Sequence, residues 1–200
     1  MSLAIVYTRA ALGIEAPLIT VEVHLSNGLP GLTMVGLPET TVKEARDRVR
    51  SALINSGYAF PAKKITINLA PADLPKEGGR YDLPIALALL VASEQLNTTR
   101  LNQYEFVGEL ALTGGLRGVP GAIPSAMEAI KAGRRIVVSS DNAAEVGLIG
   151  GSDCLVADHL QEVCAFLAGQ TSLSPPLAEA PARDERYEDL LDVIGQQQGK

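Results

Sequence analysis

Alternating apolar and polar positions predict β-strands in the first part of the chain. Over residues 16–25 the two kinds of side chain alternate, which is the period of a half-buried strand. Residues 31–37 and 64–69 (KITINL) are also strand-like, and Pro38 ends the first of these two runs. His24 falls on the polar face of the strand at 16–25, and we interpret it as an exposed side chain.

A helical period follows the second strand. Thr41 and Glu44 fit a capping box, so we expect a helix to begin at Thr41. Its apolar residues recur at helical spacing and define one buried face: Val42, Ala45, Val49, Ala52 and Leu53. Gly57 is a natural C-terminal cap for this helix.

A second helix is predicted to begin after Asp82, the expected N-cap. Pro84 falls in its first turn, where a missing N–H costs nothing. The run LPIALALL is apolar on all sides, so we expect this helix to be buried all round. Strands and helices then alternate, with strands at 106–112, 135–138 and 155–157 and helices at 121–132, 142–149 and 159–167. This order predicts an α/β sandwich with a mixed sheet and right-handed crossovers.

The segment 69–90, LAPADLPKEGGRYDLPIALALL, has the setting of a functional site. It joins a strand to a helix through a loop rich in Pro, Gly and charge, and a helix N-terminus attracts anions. Lys76 and Arg80 are the candidate anion-binding residues of this turn. The alternative is structural, with both side chains holding the loop against Glu77 and Asp82.

Composition favours a folded cytosolic protein. The chain of 200 residues is 46% hydrophobic and 20% charged, and its net charge of −6 argues against a protein that coats nucleic acid over its whole surface. Cys154 and Cys164 are interpreted as small buried residues of a reducing cytosol. Neither a signal peptide nor a membrane-spanning run is recognisable, so we expect a cytoplasmic location and no membrane partner.

One basic segment stands out in this acidic chain. Residues 43–64 contain Lys43, Arg46, Arg48, Arg50, Lys63 and Lys64 against Glu44 and Asp47, a local balance of +4. On a helix Lys43, Arg46 and Arg50 share the solvent side, while Glu44 can pair with Arg48. Two interpretations remain open: a solvated helix face, or a phosphate track for DNA with Arg117 as a further contact.

The C-terminal part changes character. Residues 171–186 (TSLSPPLAEAPARDER) are rich in Pro, small and charged residues and are predicted to be an exposed linker after a domain at 1–170. Residues 187–200 recover a hydrophobic pattern, which we interpret as the start of another module.

Four segments carry a family resemblance: LSNGLPGLTMVGLPETTVKEARDRVRSALINSGY, KKITINLAPADLPKEGGRYDLPIALALL, FVGELALTGGLRGVPGAI and DVIGQQQGK. They resemble the YifB/ComM group of magnesium-chelatase-like AAA+ ATPases. The resemblance implies a Lon-protease-like N-terminal domain followed by an AAA+ motor. It also implies a hexameric, ATP-driven DNA helicase that promotes branch migration, with self-association and DNA as partners.

A Lon-type protease needs a serine after a Pro-Lys-acid-Gly turn and a lysine at the start of a later helix. The turn is present as Pro75-Lys76-Glu77-Gly78, but residues 79–82 (GRYD) contain no nucleophile. The lysine position falls near Ile123. Ser125 and Lys131 lie nearby, but their spacing places them on different helix faces. We therefore expect no catalytic residues in this chain.

Nucleotide and metal sites are also not expected. Residues 195–200 lack the Walker A spacing, and the glycine-rich run 113–118 (TGGLRG) favours a turn over a phosphate cradle. ATP and Mg are expected only in the missing motor, and no metal ligands are assigned. The sequence thus predicts a non-catalytic accessory or assembly domain of the motor. The alternatives are a stand-alone DNA-binding module, a cryptic serine-type hydrolase and a magnesium-chelatase-like subunit.

Overall fold

The computed structural model describes residues 2–36, 39–76, 78–149 and 151–176, without the side chains of residues 39 and 40. The strands are β1 (Ser2–Arg9), β2 (Leu18–Ser26), β3 (Gly31–Val35), β4 (Lys64–Ala70), β5 (Tyr104–Phe106), β6 (Glu109–Leu110), β7 (Leu116–Arg117), β8 (Arg135–Ser139) and β9 (Cys154–Ala157). The helices are α1 (Glu39–Asn55), α2 (Asp82–Ala92), α3 (Ala122–Lys131), α4 (Ala143–Gly147) and α5 (Leu160–Leu167). Short 3₁₀ turns lie at Leu101–Gln103 and Ser140–Asn142.

Seven strands form one mixed sheet in the order β3-β4-β2-β1-β5-β8-β9. The pairs β1–β2 and β2–β4 are antiparallel, and the other four pairs are parallel. The predicted α/β class with a mixed sheet is therefore confirmed. Strand β1, which the sequence analysis did not predict, lies at the centre of the sheet between β2 and β5.

Strand β2 shows how the alternating pattern positions the core. Val21, Val23 and Leu25 are buried, and the residues between them lie on the opposite face. His24 is on that opposite face, half-buried rather than exposed as expected. Its register partners on the neighbouring strands are Leu3 and Thr66.

Helix α2 is the centre of the core, as predicted. Its residues from Asp82 to Leu90 are buried, and it packs against β1, β2 and α1. Cys154 and Cys164 are both buried free thiols. None of the helices in the described ranges has both the length and the hydrophobicity that a transbilayer span requires.

Both predicted helix starts differ from the structure. Helix α1 begins at Glu39, so Thr41 lies inside it and the expected capping box is wrong. Tyr81, not Asp82, occupies the N-cap position of α2. The predicted end of α1 is confirmed, because Gly57 has a φ of +83° and Tyr58 N–H donates to the Leu53 carbonyl oxygen at 3.0 Å.

The predicted strand at 106–112 is in fact two strands in different sheets. Strand β5 ends at Phe106 in the main sheet, and β6 pairs with β7 in a separate hairpin. The chain leaves the sheet at Gly108, whose N–H donates to the Arg80 carbonyl oxygen and whose own carbonyl oxygen accepts from Leu83 N–H, both at 3.1 Å. These two bonds hold Gly108 against the start of α2, where backbone groups have no hydrogen-bond partners within the helix.

Candidate functional site

A cavity of about 450 Å³ lies at the N-terminus of α2, and we call it the α2 cavity. Its walls come from the loop before α2, from β6 and from the segment that precedes α3. It is lined by Ala11, Pro75, Gly78, Gly79, Arg80, Tyr81, Glu109, Gly118, Val119 and Pro120. The glycine-rich part of the segment 69–90, which the sequence singled out, therefore lines a cavity.

Arg80 is a buried cation in the wall of the α2 cavity, with 4% of its surface exposed. Its guanidinium donates to the Pro120 carbonyl oxygen at 3.2 Å and to Ser125 Oγ at 2.9 Å. Its Nε is buried and has no hydrogen-bond partner among the described residues. Burial lowers the pKa of Arg80, although the neighbouring Tyr81 acts in the opposite direction.

Tyr81, the next residue, also lines the cavity, and its hydroxyl is a second buried polar atom without a partner among the described residues. The side chain is 2% exposed. Burial raises the pKa of Tyr81 to about 12, so the phenol is a neutral O–H donor at neutral pH.

Lys76, the other candidate for anion binding, is engaged within its own loop. Its ammonium donates to the carbonyl oxygens of Pro71 and Leu74, the latter at 3.2 Å. Burial lowers the pKa of Lys76, and Asp73 partly opposes that shift. Arg80 lines the α2 cavity and Lys76 does not, so the two candidate residues do not contribute to one site there.

Asp82 binds Arg48 of α1, a partner that the sequence analysis missed. Arg48 Nε donates to Asp82 Oδ2 at 2.6 Å, and the Leu110 N–H reaches the same oxygen at 3.3 Å. The expectation that Lys76 or Arg80 bonds to Asp82 is therefore wrong. The expected contact of these side chains with Glu77 lies outside the described residues. Burial raises the pKa of Asp82 to about 6, although the bonds from Arg48 act to lower it.

Glu109 also lines the α2 cavity, where its carboxylate lies close to Gly79. A side chain at Gly79 would overlap the Glu109 carboxylate, which shows how closely the two residues approach. Arg117, a candidate DNA contact, lies 3.4 Å from Glu109 in an exposed ion pair. The run 113–118 includes the end of the turn between β6 and β7 and strand β7 itself, and in the turn Gly114 N–H donates to the Ala111 carbonyl oxygen at 2.9 Å.

Ser125 and Lys131 do not meet. Ser125 is buried, and its hydroxyl donates to the Gly121 carbonyl oxygen at 2.8 Å while accepting from Arg80. Lys131 is exposed and pairs with Glu128 at 2.6 Å. Ile123, at the expected position of the base, is half-buried in α3 and cannot accept a proton. The two residues therefore have the contacts of structural side chains.

The basic segment forms a second concavity, which we call the α1 groove, with a volume of about 490 Å³. Arg46, Arg50 and Lys63 line it together with Phe60. Arg46 bonds to Asp47 at 3.0 Å, and the Arg50 guanidinium lies 4.9 Å from the centre of the Phe60 ring. Lys43 and Lys64 are exposed nearby in sequence but are not lining residues. The predicted Glu44–Arg48 pair is confirmed at 3.7 Å.

The model of one protein family, described as subunit ChlI of Mg-chelatase, matches residues 21–142. The match includes α1, the turn before α2, the hairpin and α3. The chain belongs to this ChlI family. The family segment thus contains both concavities and most of the residues that line them.

Several curated proteins match over the whole chain. The YifB proteins of Salmonella typhimurium and Escherichia coli are 75% and 73% identical to it over 200 residues. The competence protein ComM of Haemophilus influenzae is 55% identical over 207 residues. In each case the chain spans about 40% of the length of the relative.

Proposed function

We propose that this chain is the non-catalytic N-terminal accessory or assembly domain of a ComM-type AAA+ ATPase. The whole protein would be an ATP-driven hexameric helicase that moves DNA branches during recombination, with ATP and Mg bound by the motor module. The family match and the 55% identity to a competence protein support this assignment. The chain spans about 40% of the length of this relative, which leaves room for a motor module in the remainder.

The contact between Arg80 and Ser125 carries the non-catalytic part of the proposal. Arg80 stands in the loop segment where a Lon-type enzyme has its serine, and it joins this loop to α3 at 2.9 Å. An always-protonated guanidinium is neither a nucleophile nor a base. A Ser–Lys mechanism needs a nucleophile and a base, so the hydrogen bond from Arg80 to Ser125 supports a non-catalytic role for this turn.

Turnover assays on the 200-residue chain test this proposal. The chain is expected to hydrolyse neither a fluorogenic casein substrate nor ATP, and to give no adduct with a fluorophosphonate serine probe. The matched positive control for the probe is a Lon protease domain of similar size. Labelling of the wild-type chain that disappears in the variant Ser125→Ala would show a cryptic hydrolase and overturn the proposal.

A second candidate function is direct contact with DNA through the α1 groove. The observation in its favour is that three cationic side chains from two segments line one concavity in an acidic protein. Such a surface would bind phosphates without reading sequence, and its affinity would fall steeply with salt. Phe60 offers an aromatic face in the same groove, although Arg50 already covers that ring.

DNA titrations at two salt concentrations test the second candidate. Labelled single-stranded and branched DNA should bind the chain at low salt and lose affinity with the double change Arg46→Glu and Lys63→Glu. The matched control reverses two basic residues outside the groove, Lys131→Glu and Arg135→Glu, and should bind as the wild type does. Equal binding by both double variants would contradict a role for the groove.

A further inference from the structure

The α1 groove combines positive charge with an apolar lining. Its charged lining residues are three cations and one carboxylate: Arg46, Arg50, Lys63 and Asp47. The carboxylate already bonds to Arg46 at 3.0 Å. Most of the other lining residues are apolar, among them Pro30, Leu32, Phe60 and Pro61. A peptide segment that fits this groove should therefore carry both acidic and apolar side chains.

The cations of the groove can be reached from solvent. The Arg46 side chain is 49% exposed, and Arg50 and Lys63 are also exposed. The Arg50 guanidinium lies 4.9 Å from the centre of the half-buried Phe60 ring, so charge and apolar surface adjoin within the groove. Because single exposed ion pairs contribute little, several of them together with apolar contact are needed to hold a segment there.

One part of this chain has the complementary composition. Residues 184–192 (DERYEDLLD), which we call the acidic segment, contain five acidic residues against Arg186, a balance of −4. The remaining three residues are an aromatic and two aliphatic ones, Tyr187, Leu190 and Leu191. The acidic segment covers the end of the predicted linker and the start of the predicted second module, and it lies outside the described residues.

The length of the chain allows the acidic segment to reach the groove. The Ser174 carbonyl oxygen accepts from the Val156 N–H of β9 at 3.1 Å, which fixes the chain at this edge of the sheet. Strand β3, whose first residues line the groove, is the other edge, six strand intervals or about 29 Å away. Tyr187 follows Ser174 by 13 residues, and an extended chain of that length spans up to about 43 Å.

We propose that the acidic segment docks in the α1 groove of its own chain. Its carboxylates pair with Arg46, Arg50 and Lys63, and its apolar side chains contact Phe60. The docked segment limits access of DNA to the groove, and this regulatory role rests on the DNA-binding candidate. Docking itself does not need that candidate, because it depends only on the charge and the apolar surface of the groove and the segment.

Paramagnetic NMR of the ¹⁵N-labelled 200-residue chain tests the docking. A nitroxide is attached to the variant Ala182→Cys, just before the acidic segment, while Cys154 and Cys164 are buried and should not take the label. The amide signals of Gly31 and Ala62 should broaden at about 0.01 M salt and recover at about 1 M salt, where the Debye length is only about 3 Å. Dilution by about tenfold should not change the broadening, because the contact lies within one chain.

Two sets of further changes in the labelled chain locate the contact. The acidic segment is neutralised by four substitutions: Asp184→Asn, Glu185→Gln, Glu188→Gln and Asp189→Asn. This change should lower the broadening at low salt at least about threefold, and so should the double change Arg50→Glu and Lys63→Glu in the groove. The matched control, Lys131→Glu with Arg135→Glu, reverses two charges outside the groove and should leave the broadening unchanged.

Three results would overturn the proposal: no broadening of the Gly31 and Ala62 signals at low salt, broadening that persists after the acidic segment is neutralised, or broadening that disappears on dilution. The neutralised segment leaves every described residue unchanged, so it decides the matter even if the double change in the groove prevents folding. Failure of DNA to bind while the broadening is present would reject the DNA-binding candidate alone. The turnover assays of the proposed function are not affected by any of these results.

Discussion

Arg48 of α1 donates two hydrogen bonds to the carboxylate of Asp82, the first residue of α2. Nε donates to Oδ2 at 2.6 Å, and Nη2 donates to Oδ1 at 3.2 Å. The Asp82 side chain is 1% exposed, and that of Arg48 is 20% exposed. The pair therefore ties the basic helix to the start of the central helix, where the α2 cavity lies.

Removing the arginine should destabilise the fold. We expect Arg48→Met to lower the free energy of unfolding by about 2 kcal/mol at pH 7, because it leaves a buried carboxylate without its cation. Urea unfolding followed by circular dichroism measures the change. The matched control is Arg46→Met on the same helix, whose exposed pair with Asp47 should contribute less than about 0.5 kcal/mol. Equal effects of the two variants would contradict this role of Arg48.

The same carboxylate should give stability a distinct dependence on pH. Burial raises the folded-state pKa of Asp82 to about 6, above the ordinary value of 3.8, and the Arg48 bonds only partly oppose the shift. The folded state therefore holds its proton more tightly than the unfolded state, and this contribution to stability is lost as the pH rises from about 4 to about 6. Relative to Asp82→Asn, the wild type should lose on the order of 2 kcal/mol over that range. Parallel pH profiles for the two proteins would contradict the assignment.

Gly114 should tolerate no side chain. Its φ is +96°, and a Cβ there would overlap Ser56 Oγ and approach His159 Cε1 to 2.8 Å. Gly114→Ala is expected to cost more than about 2 kcal/mol, because the hairpin turn would have to move away from Ser56 and His159. Gly133→Ala is the matched control, since Gly133 has a φ of +72° with open space around it and should cost only about 1 kcal/mol. Thermal unfolding of both variants measures the difference.

Ser125 should matter for stability rather than for chemistry. Ser125→Ala removes a buried acceptor of Arg80, and we expect a loss of about 1 to 2 kcal/mol in urea unfolding. Ser172→Ala, an exposed position, provides the comparison and should be neutral. A stability unchanged by Ser125→Ala would show that the bond to Arg80 contributes little.

Local patterns were sufficient to predict much of the fold. The apolar run after Asp82 predicted a fully buried helix, and the alternation around Val21 predicted a half-buried strand, because both signals arise from burial by neighbouring layers. The end of α1 was predictable for a similar reason, since Gly57 meets a backbone requirement that few other residues meet.

Long-range partners were not predictable. The run FVGELAL is continuous in hydrophobicity, and only the bonds of Gly108 to Arg80 and Leu83 show why it splits into two strands. Asp82 before an apolar helix has the local appearance of an N-cap, yet its partner is Arg48, 34 residues away. The sequence indicated that the turn lacks a nucleophile, but it gave no signal that Arg80 bonds to Ser125.

ATP hydrolysis by the full-length protein and by the 200-residue chain shows whether the chain is an accessory domain of a motor. The full-length protein and the 200-residue chain would be assayed at equal concentration, each with and without single-stranded DNA. We expect turnover by the full-length protein, stimulated by DNA, and none by the chain. ATP turnover by the chain alone, or none by the full-length protein, would contradict the assignment of this chain as an accessory domain of an ATP-driven motor.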